Sequence, residues 1–260
     1  MTLNDAKKIN RKAMIFAAGL GTRLAPLTND CPKALVKLRG KPLLQHVIER
    51  LAAEGFTRLT VNVHHFSRQI IDYLNNQLPK LDLDLDSGIM PLNVQCSDET
   101  AQLLDTGGGL KKAAALLFAA DDSPVLVHNV DILSNAHLAE LYAAAGDVDA
   151  LLLVSDRSTT RYLLFDADMC LVGWQNIQTG EVRTPYADLR PEECHRLAFS
   201  GIHVVNKSLT NAMSDWPDKF GIIDFYIRKC AELNIRGYVQ PGLQLIDIGK
   251  IEVLRKMEEQ

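Results

Sequence analysis

Apolar strand runs separated by helical patterns constrain this chain more than any other feature of its sequence. Residues 59–63, 125–129 and 150–154 read as short strands rich in apolar residues, the last of them apolar on both faces. Between them, apolar residues recur at helical spacing. One set is Leu43, Leu44, Val47, Ile48 and Leu51, opened by Gly40-Lys41-Pro42 and stopped near Gly55. Another is Ile70, Ile71 and Leu74, where Ser67 is expected to cap a helix running to about Leu78. Helices over 107–120 and 138–145, and a strand over 92–97, continue the alternation. A strand with no polar face must be covered on both sides. The pattern therefore predicts an α/β fold, with a mostly parallel sheet and helices on both faces.

After residue 155 the rhythm changes. Residues 161–165 and 170–176 read as a hairpin turning at Asp166–Met169, and 197–205 as a further strand. Residues 176–196 read as an exposed loop, and 80–88, with alternating Leu and Asp, as a solvated one. Helices over 207–213, 222–233 and 251–256 and strands over 236–240 and 244–248 complete the second half. We expect one domain with a β-rich elaboration in that half, preceded by a polar extension over residues 1–12.

Composition excludes several classes. The net charge of −4 leaves no global basic field for nucleic acid. No apolar run approaches the ~20 residues of a membrane span, and the polar, basic first residues do not read as a signal peptide. A cytoplasmic protein is expected, with no nucleic-acid or membrane partner. The five cysteines are scattered with no C-x-x-C pair, which argues against a zinc site or a disulfide framework.

Residues 13–33, AMIFAAGLGTRLAPLTNDCPK, carry the first chemical signal. An apolar strand at Met14–Phe16 runs into small residues, Ala17, Ala18, Gly19 and Gly21, that let an anion approach the backbone. Arg23 and Lys33 add fixed positive charge nearby. The dinucleotide fingerprint G-x-G-x-x-G fails at Leu24, and no P-loop string occurs.

Two aspartates supply the second signal. Asp131 follows the apolar strand 125–127, and Asp247 sits between Ile246 and Ile248. Mg²⁺ takes a few carboxylates plus phosphate oxygens, and an aspartate buried among isoleucines would need such a partner. On the residues alone, Asp131 as a helix cap and Asp247 as a turn-former stay open. Gly107-Gly108-Gly109, opening a helix, leave bare amides and room for a flat ring.

The string Ala17-Ala18-Gly19-Leu20-Gly21-Thr22-Arg23, then Pro26-Leu27-Thr28 and Pro32-Lys33, resembles the opening motif of the sugar-1-phosphate nucleotidyltransferases. The likeness extends from Ala13 to about Leu254 and looks nearest to the branch holding mannose-1-phosphate guanylyltransferases and N-acetylmuramate-1-phosphate uridylyltransferases. It implies a Rossmann-like fold, a nucleotide-binding half over about 13–154 and a sugar-binding half over about 155–250. It further implies that Arg23 and Lys33 are catalytic. Ala17, Ala18, Gly19, Gly21, Thr22, Arg23, Gly107 and Gly108 would bind the nucleotide, and Asp131 and Asp247 would hold Mg²⁺. Gly201, in Phe199-Ser200-Gly201-Ile202-His203, and Asn176 are implied at the sugar.

The Glu-Lys-Pro found in many thymidylyl- and uridylyltransferases is missing; the region reads Gly173-Trp174-Gln175-Asn176-Ile177, which disfavours a glucose-1-phosphate thymidylyltransferase. The expected partners are a nucleoside triphosphate and a sugar-1-phosphate. GTP with mannose- or heptose-1-phosphate leads, and UTP with N-acetylmuramate-1-phosphate nearly ties. A cytidylyltransferase-like enzyme for a non-sugar phosphate and a non-catalytic nucleotide-sugar-sensing subunit are the rivals. The sequence leaves the oligomeric state open.

Overall fold

Each apolar run of the sequence becomes a buried strand in the computed structural model, which describes residues 11–80 and 91–259. The first elements are β1 (Arg11–Phe16), the two-residue strands β2 (Lys37–Leu38) and β3 (Lys41–Pro42), α1 (Leu43–Ala53), β4 (Phe56–Val63), α2 (Ser67–Asp72) and β5 (Asn93–Asp98). Next come α3 (Asp105–Leu117), β6 (Val125–Asn129), β7 (Ile132–Ser134), α4 (Leu138–Ala144) and β8 (Ala150–Ser155). The chain then forms β9 (Arg161–Phe165), β10 (Leu171–Asn176), β11 (Val182–Arg183) and β12 (His195–Val205). It closes with α5 (Lys207–Asn211), α6 (Ile222–Lys229), β13 (Ile235–Val239), β14 (Leu245–Asp247) and α7 (Ile251–Glu258).

Two compact units share these elements. The first comprises Met1–Leu103, His128–Leu133 and Ile246–Gln260, and the second Leu104–Val127 and Ser134–Leu245. They interleave along the chain, so neither coincides with the 13–154 or the 155–250 half.

In the first unit β4 pairs in parallel with β1 on one side and β5 on the other. Helix α1 buries Leu43, Leu44, Val47, Ile48 and Leu51, the stripe read from the sequence, and Gly55 beyond its end has φ +79°. This is the left-handed stop that glycine permits. Ser67 does not cap α2. It is the helix's first residue, behind Phe66 at φ 52°, and its hydroxyl accepts from Thr100 Oγ1 at 3.1 Å. The helix continues beyond Asp72 as a π turn over Tyr73–Gln77.

In the second unit β8 pairs in parallel with β13 and antiparallel with β12, and β9 lies antiparallel between β12 and β10. The expected fold class, a mixed sheet with helices and a β-rich later part, holds. One correction concerns 176–196, which is not all loop: β11 folds back on β10 with Trp174 opposite Arg183. Arg183 closes the hairpin by stacking its guanidinium 4.1 Å from the Trp174 ring. The loop expected over 80–88 lies outside the described residues from position 81 onward.

Packing accounts for the glycine cluster on α3. A Cβ on Gly107 would stand 2.3 Å from the Phe220 ring, and one on Gly108 only 1.9 Å from the Asp218 carbonyl oxygen. The amides of Gly107 and Gly108 are not bare as expected: both donate to the Phe220 carbonyl, at 2.9 and 3.2 Å, and Phe220 takes the room expected for a flat ring. Gly108→Ala should therefore cost about 1–3 kcal/mol by overpacking, measured as a lower urea midpoint at unchanged slope. An unshifted midpoint would mean that the 218–220 segment yields freely.

Candidate active site

The first unit brings together Gly21, Arg23, Lys33, Asp131 and Asp247, all singled out in the sequence. Beyond β1 the chain turns through Gly21, whose φ of +68° only glycine adopts without strain. Gly21 is also crowded: a Cβ there would meet Lys33 Cβ at 2.9 Å and Thr28 Cγ2 at 3.0 Å. The Thr28 hydroxyl donates to the Gly21 carbonyl at 3.0 Å. The Pro-Leu-Thr of the motif thus pins the turn against the arm that carries Lys33. Gly19, Thr22 and Arg23 are exposed on this turn.

Lys33 reaches Asp131, its Nζ donating to Asp131 Oδ2. Both side chains are only 13% exposed, so this ion pair is poorly screened by solvent. Asp131 lies between β6 and β7, and its carbonyl accepts from Ile248 N at 2.8 Å. That bond ties the Asp131 segment to the segment carrying Asp247.

Asp247 itself is exposed, which corrects the expectation of a buried carboxylate. Ile248, just beyond the end of β14, takes the buried position instead. Asp247 Oδ1 accepts from Gly249 N at 2.7 Å. Gly249 is where Arg23 and Asp247 converge: an added Cβ would lie 2.6 Å from Asp247 Oδ1 and 2.7 Å from Arg23 Nη2. Gly249→Ala should displace both working ends and raise the nucleotide KM on the order of tenfold or more, with a thermal midpoint near wild type. An unchanged KM would separate Arg23 and Asp247 from nucleotide binding.

Ala17 and Ala18 face inward. They are 2% and 5% exposed, and their amides donate to Asn62 Oδ1 at 2.7 and 3.3 Å. Asn62 Nδ2 donates in turn to Glu99 Oε1 at 2.7 Å. Sequence reasoning passed over Asn62 and Glu99; an asparagine between Val61 and Val63, near the end of β4, was the available signal. His64, at the end of the same strand, is bonded through Nδ1 to the Glu99 carbonyl at 2.7 Å.

His128, three residues before Asp131, is buried, and desolvation pushes its pKa down to about 4, with a bond to the Asn129 carbonyl opposing. The unfolded chain takes up this proton near pH 6.5, before the folded chain does. Stability should therefore fall by about 3 kcal/mol as pH drops from 6.5 to 4. His128→Gln should flatten that part of the pH–stability curve; an unaltered slope would assign it to other groups.

The other candidates belong to the second unit. Gly107 and Gly108 are buried at the start of α3, as described. Asn176 Oδ1 accepts from Gln178 N at 3.0 Å and shapes the turn between β10 and β11. Gly201, at φ +80°, sits where the pairing of β12 with β8 shifts register between Phe199 and His203. Among the described residues no group of three or more His, Cys, Asp or Glu is arranged to hold a metal. Burial pushes the Cys31 thiol up, away from thiolate chemistry. No described helix is long and apolar enough to cross a membrane.

Known proteins resemble this chain in sequence and in fold. The family model described as nucleotidyl transferase matches residues 12–168. An N-acetylmuramate alpha-1-phosphate uridylyltransferase of Caulobacter vibrioides is 36% identical over 250 residues, covering 93% of this chain and 92% of that protein. A mannose-1-phosphate guanyltransferase of Hypocrea jecorina is 32% identical over 154 residues, covering 58% of this chain and 39% of that protein. The crystal structure of HddC from Yersinia pseudotuberculosis superposes with a TM-score of 0.72 at 24% identity, covering 96% of this chain and 98% of the other. At that identity the likeness speaks for the fold.

Proposed function

The chain belongs to the nucleotidyl transferase family, and from that premise we propose that it is a uridylyltransferase joining UTP to N-acetylmuramate-1-phosphate. One observation carries the choice of substrate: the similarity to the Caulobacter uridylyltransferase runs through nearly the whole of both chains. The mannose-1-phosphate guanyltransferase aligns over little more than half of this chain. This reverses the order suggested by the motifs, where GTP with mannose- or heptose-1-phosphate led. Mannose-1-phosphate with GTP stands as the second reading, because the relatives carrying that name are still 32–36% identical where they align. A reaction between nucleotide and sugar phosphate would place the protein in the cytoplasm.

The reaction is a balanced displacement. A phosphate oxygen of the sugar-1-phosphate attacks the α-phosphorus of the nucleotide, the bond to the β-phosphate oxygen breaks, and pyrophosphate leaves. The attacking oxygen is already ionised, so no general base is needed, and catalysis rests on positioning and neutralisation of charge. In this reading the exposed turn at Gly19, Gly21 and Thr22 receives the triphosphate. Arg23 binds the β- and γ-phosphates, and Lys33 binds the α-phosphate and orients the incoming sugar phosphate. Gly201 and Asn176 are assigned to the sugar.

The carboxylates fit a magnesium ion. Asp131 and Asp247 are hard oxygen donors on segments joined by the bond from Ile248 N to the Asp131 carbonyl. Mg²⁺ characteristically uses one or two carboxylates and completes its shell with phosphate oxygens and water. When bound there it would neutralise phosphate charge. Pyrophosphate release measured for UTP and GTP, each against N-acetylmuramate-1-phosphate and mannose-1-phosphate, tests the proposal. We expect the uridylyl–muramate pair to exceed the others by at least tenfold in kcat/KM, about 1.4 kcal/mol. A guanylyl–mannose preference would replace it with the second reading.

A further inference from the structure

The buried pair Asn62–Glu99 has no part in the reaction as described, yet it is costly to keep. Asn62 is 2% exposed and Glu99 is fully buried. Polar and charged groups taken out of water destabilise the fold unless their bonds are satisfied. Asparagine is also a poor strand former, and here it sits between two strand-favouring valines, Val61 and Val63.

What the pair holds is the point at which β1 becomes the exposed turn. In the parallel register Phe16 lies opposite Asn62, the last pair of that ladder. Ala17 N and Ala18 N lie just beyond it, and Asn62 Oδ1 takes both. The opposite end of the same side chain, Nδ2, is bound to the Glu99 carboxylate. Glu99 is fixed in its turn, since its amide donates to the Val63 carbonyl at 2.7 Å. The carbonyl end of Asn62 is thus bonded to two donors and its amide end to an acceptor. Aspartate would set a carboxylate against a carboxylate at Glu99, and alanine would leave both amides of the turn without this acceptor.

We propose that Asn62, oriented by Glu99, is a positioning residue for nucleotide binding: it fixes the direction in which Gly19–Arg23 leaves the sheet and so the placement of the triphosphate cradle. This rests on the proposed role of that turn. The pair touches no reacting atom. Its effect is on how tightly the polyphosphate is held.

Binding of inorganic tripolyphosphate, measured by calorimetry, reads this directly, because that probe has neither base nor sugar. We expect Asn62→Asp to weaken it by roughly tenfold or more, on the scale of a lost buried hydrogen bond to a charged group. Asn62→Asp combined with Glu99→Gln should return it to within about threefold of wild type, because the glutamine amide can donate to the new carboxylate. In turnover assays with UTP and N-acetylmuramate-1-phosphate, the nucleotide KM should rise while the sugar-phosphate KM stays within about twofold, a split that general loss of structure would not produce. Thermal midpoints establish that each variant is folded at the assay temperature. Wild-type affinity in folded Asn62→Asp, an equal rise in both KM values, or failure of the double variant to recover would overturn the proposal. So would a wild type that does not bind tripolyphosphate. A wild type that binds it but releases no pyrophosphate would instead count against the transferase reading, and the tripolyphosphate affinities would still decide the role of Asn62.

Discussion

Lys33→Ala should lower kcat by a hundredfold or more while leaving the protein folded. Its Nζ sits in a largely enclosed ion pair with Asp131, next to the turn that Gly21 and Thr28 hold in place. In phosphoryl transfer the protein acts mainly through position and charge, and removal of one preorganised donor to the developing charge costs about 10²–10³ in kcat. The effect should fall on kcat more than on the nucleotide KM, since Arg23 and the turn retain most of the triphosphate contacts in this account. A near-normal kcat in a folded Lys33→Ala variant would remove Lys33 from the mechanism.

Asp131→Asn should have an effect of similar size through a different readout. The amide keeps the shape of the side chain and an acceptor for Lys33 but removes the negative charge. If Asp131 helps to hold Mg²⁺, kcat should fall at least about a hundredfold, and the Mg²⁺ concentration for half-maximal activity should move upward. Because Asp131 and Lys33 are bonded directly, the two substitutions should not be additive. The Lys33→Ala, Asp131→Asn double variant should be little worse than the poorer single variant. Multiplying losses and an unmoved Mg²⁺ dependence would show two independent residues and no metal role for Asp131.

Most of the scaffold was legible in the sequence. Strands β6 and β9 occupy the residues expected of them, because a short apolar run between turn signals leaves few alternatives. Helix α1 was readable from Pro42, its apolar stripe and Gly55, three independent signals for one element. Ser67 misled because a serine ahead of an apolar stripe suggests a cap, whereas the chain enters α2 through a left-handed Phe66. The β10–β11 hairpin was hidden because its second strand is two residues long and depends on a tertiary contact between Arg183 and Trp174.

The site was legible in identity more than in orientation. The spacing of Gly21, Arg23, Thr28 and Lys33 carried a motif, and the structure packs Gly21 against both Thr28 and Lys33. Which way the amides of Ala17 and Ala18 point could not be read from their small size; the answer lay 45 and 44 residues away on Asn62. Asp247 looked buried because of its neighbours, whereas Ile248, just beyond the end of β14, takes the buried position. Glu99 carried no local sign of burial, since a glutamate after a strand is ordinarily solvated.

Nucleotidyl transfer leaves its clearest trace in the fate of the α-phosphate. With α-³²P-labelled UTP, N-acetylmuramate-1-phosphate and Mg²⁺, the label should appear in a nucleoside-diphosphate sugar. One unlabelled pyrophosphate should be released per labelled product, and Lys33→Ala should slow both together by about a hundredfold or more. Tight nucleotide binding with all label remaining in the triphosphate, for every sugar-1-phosphate offered and with GTP as well, would contradict the account and identify a sensor rather than an enzyme.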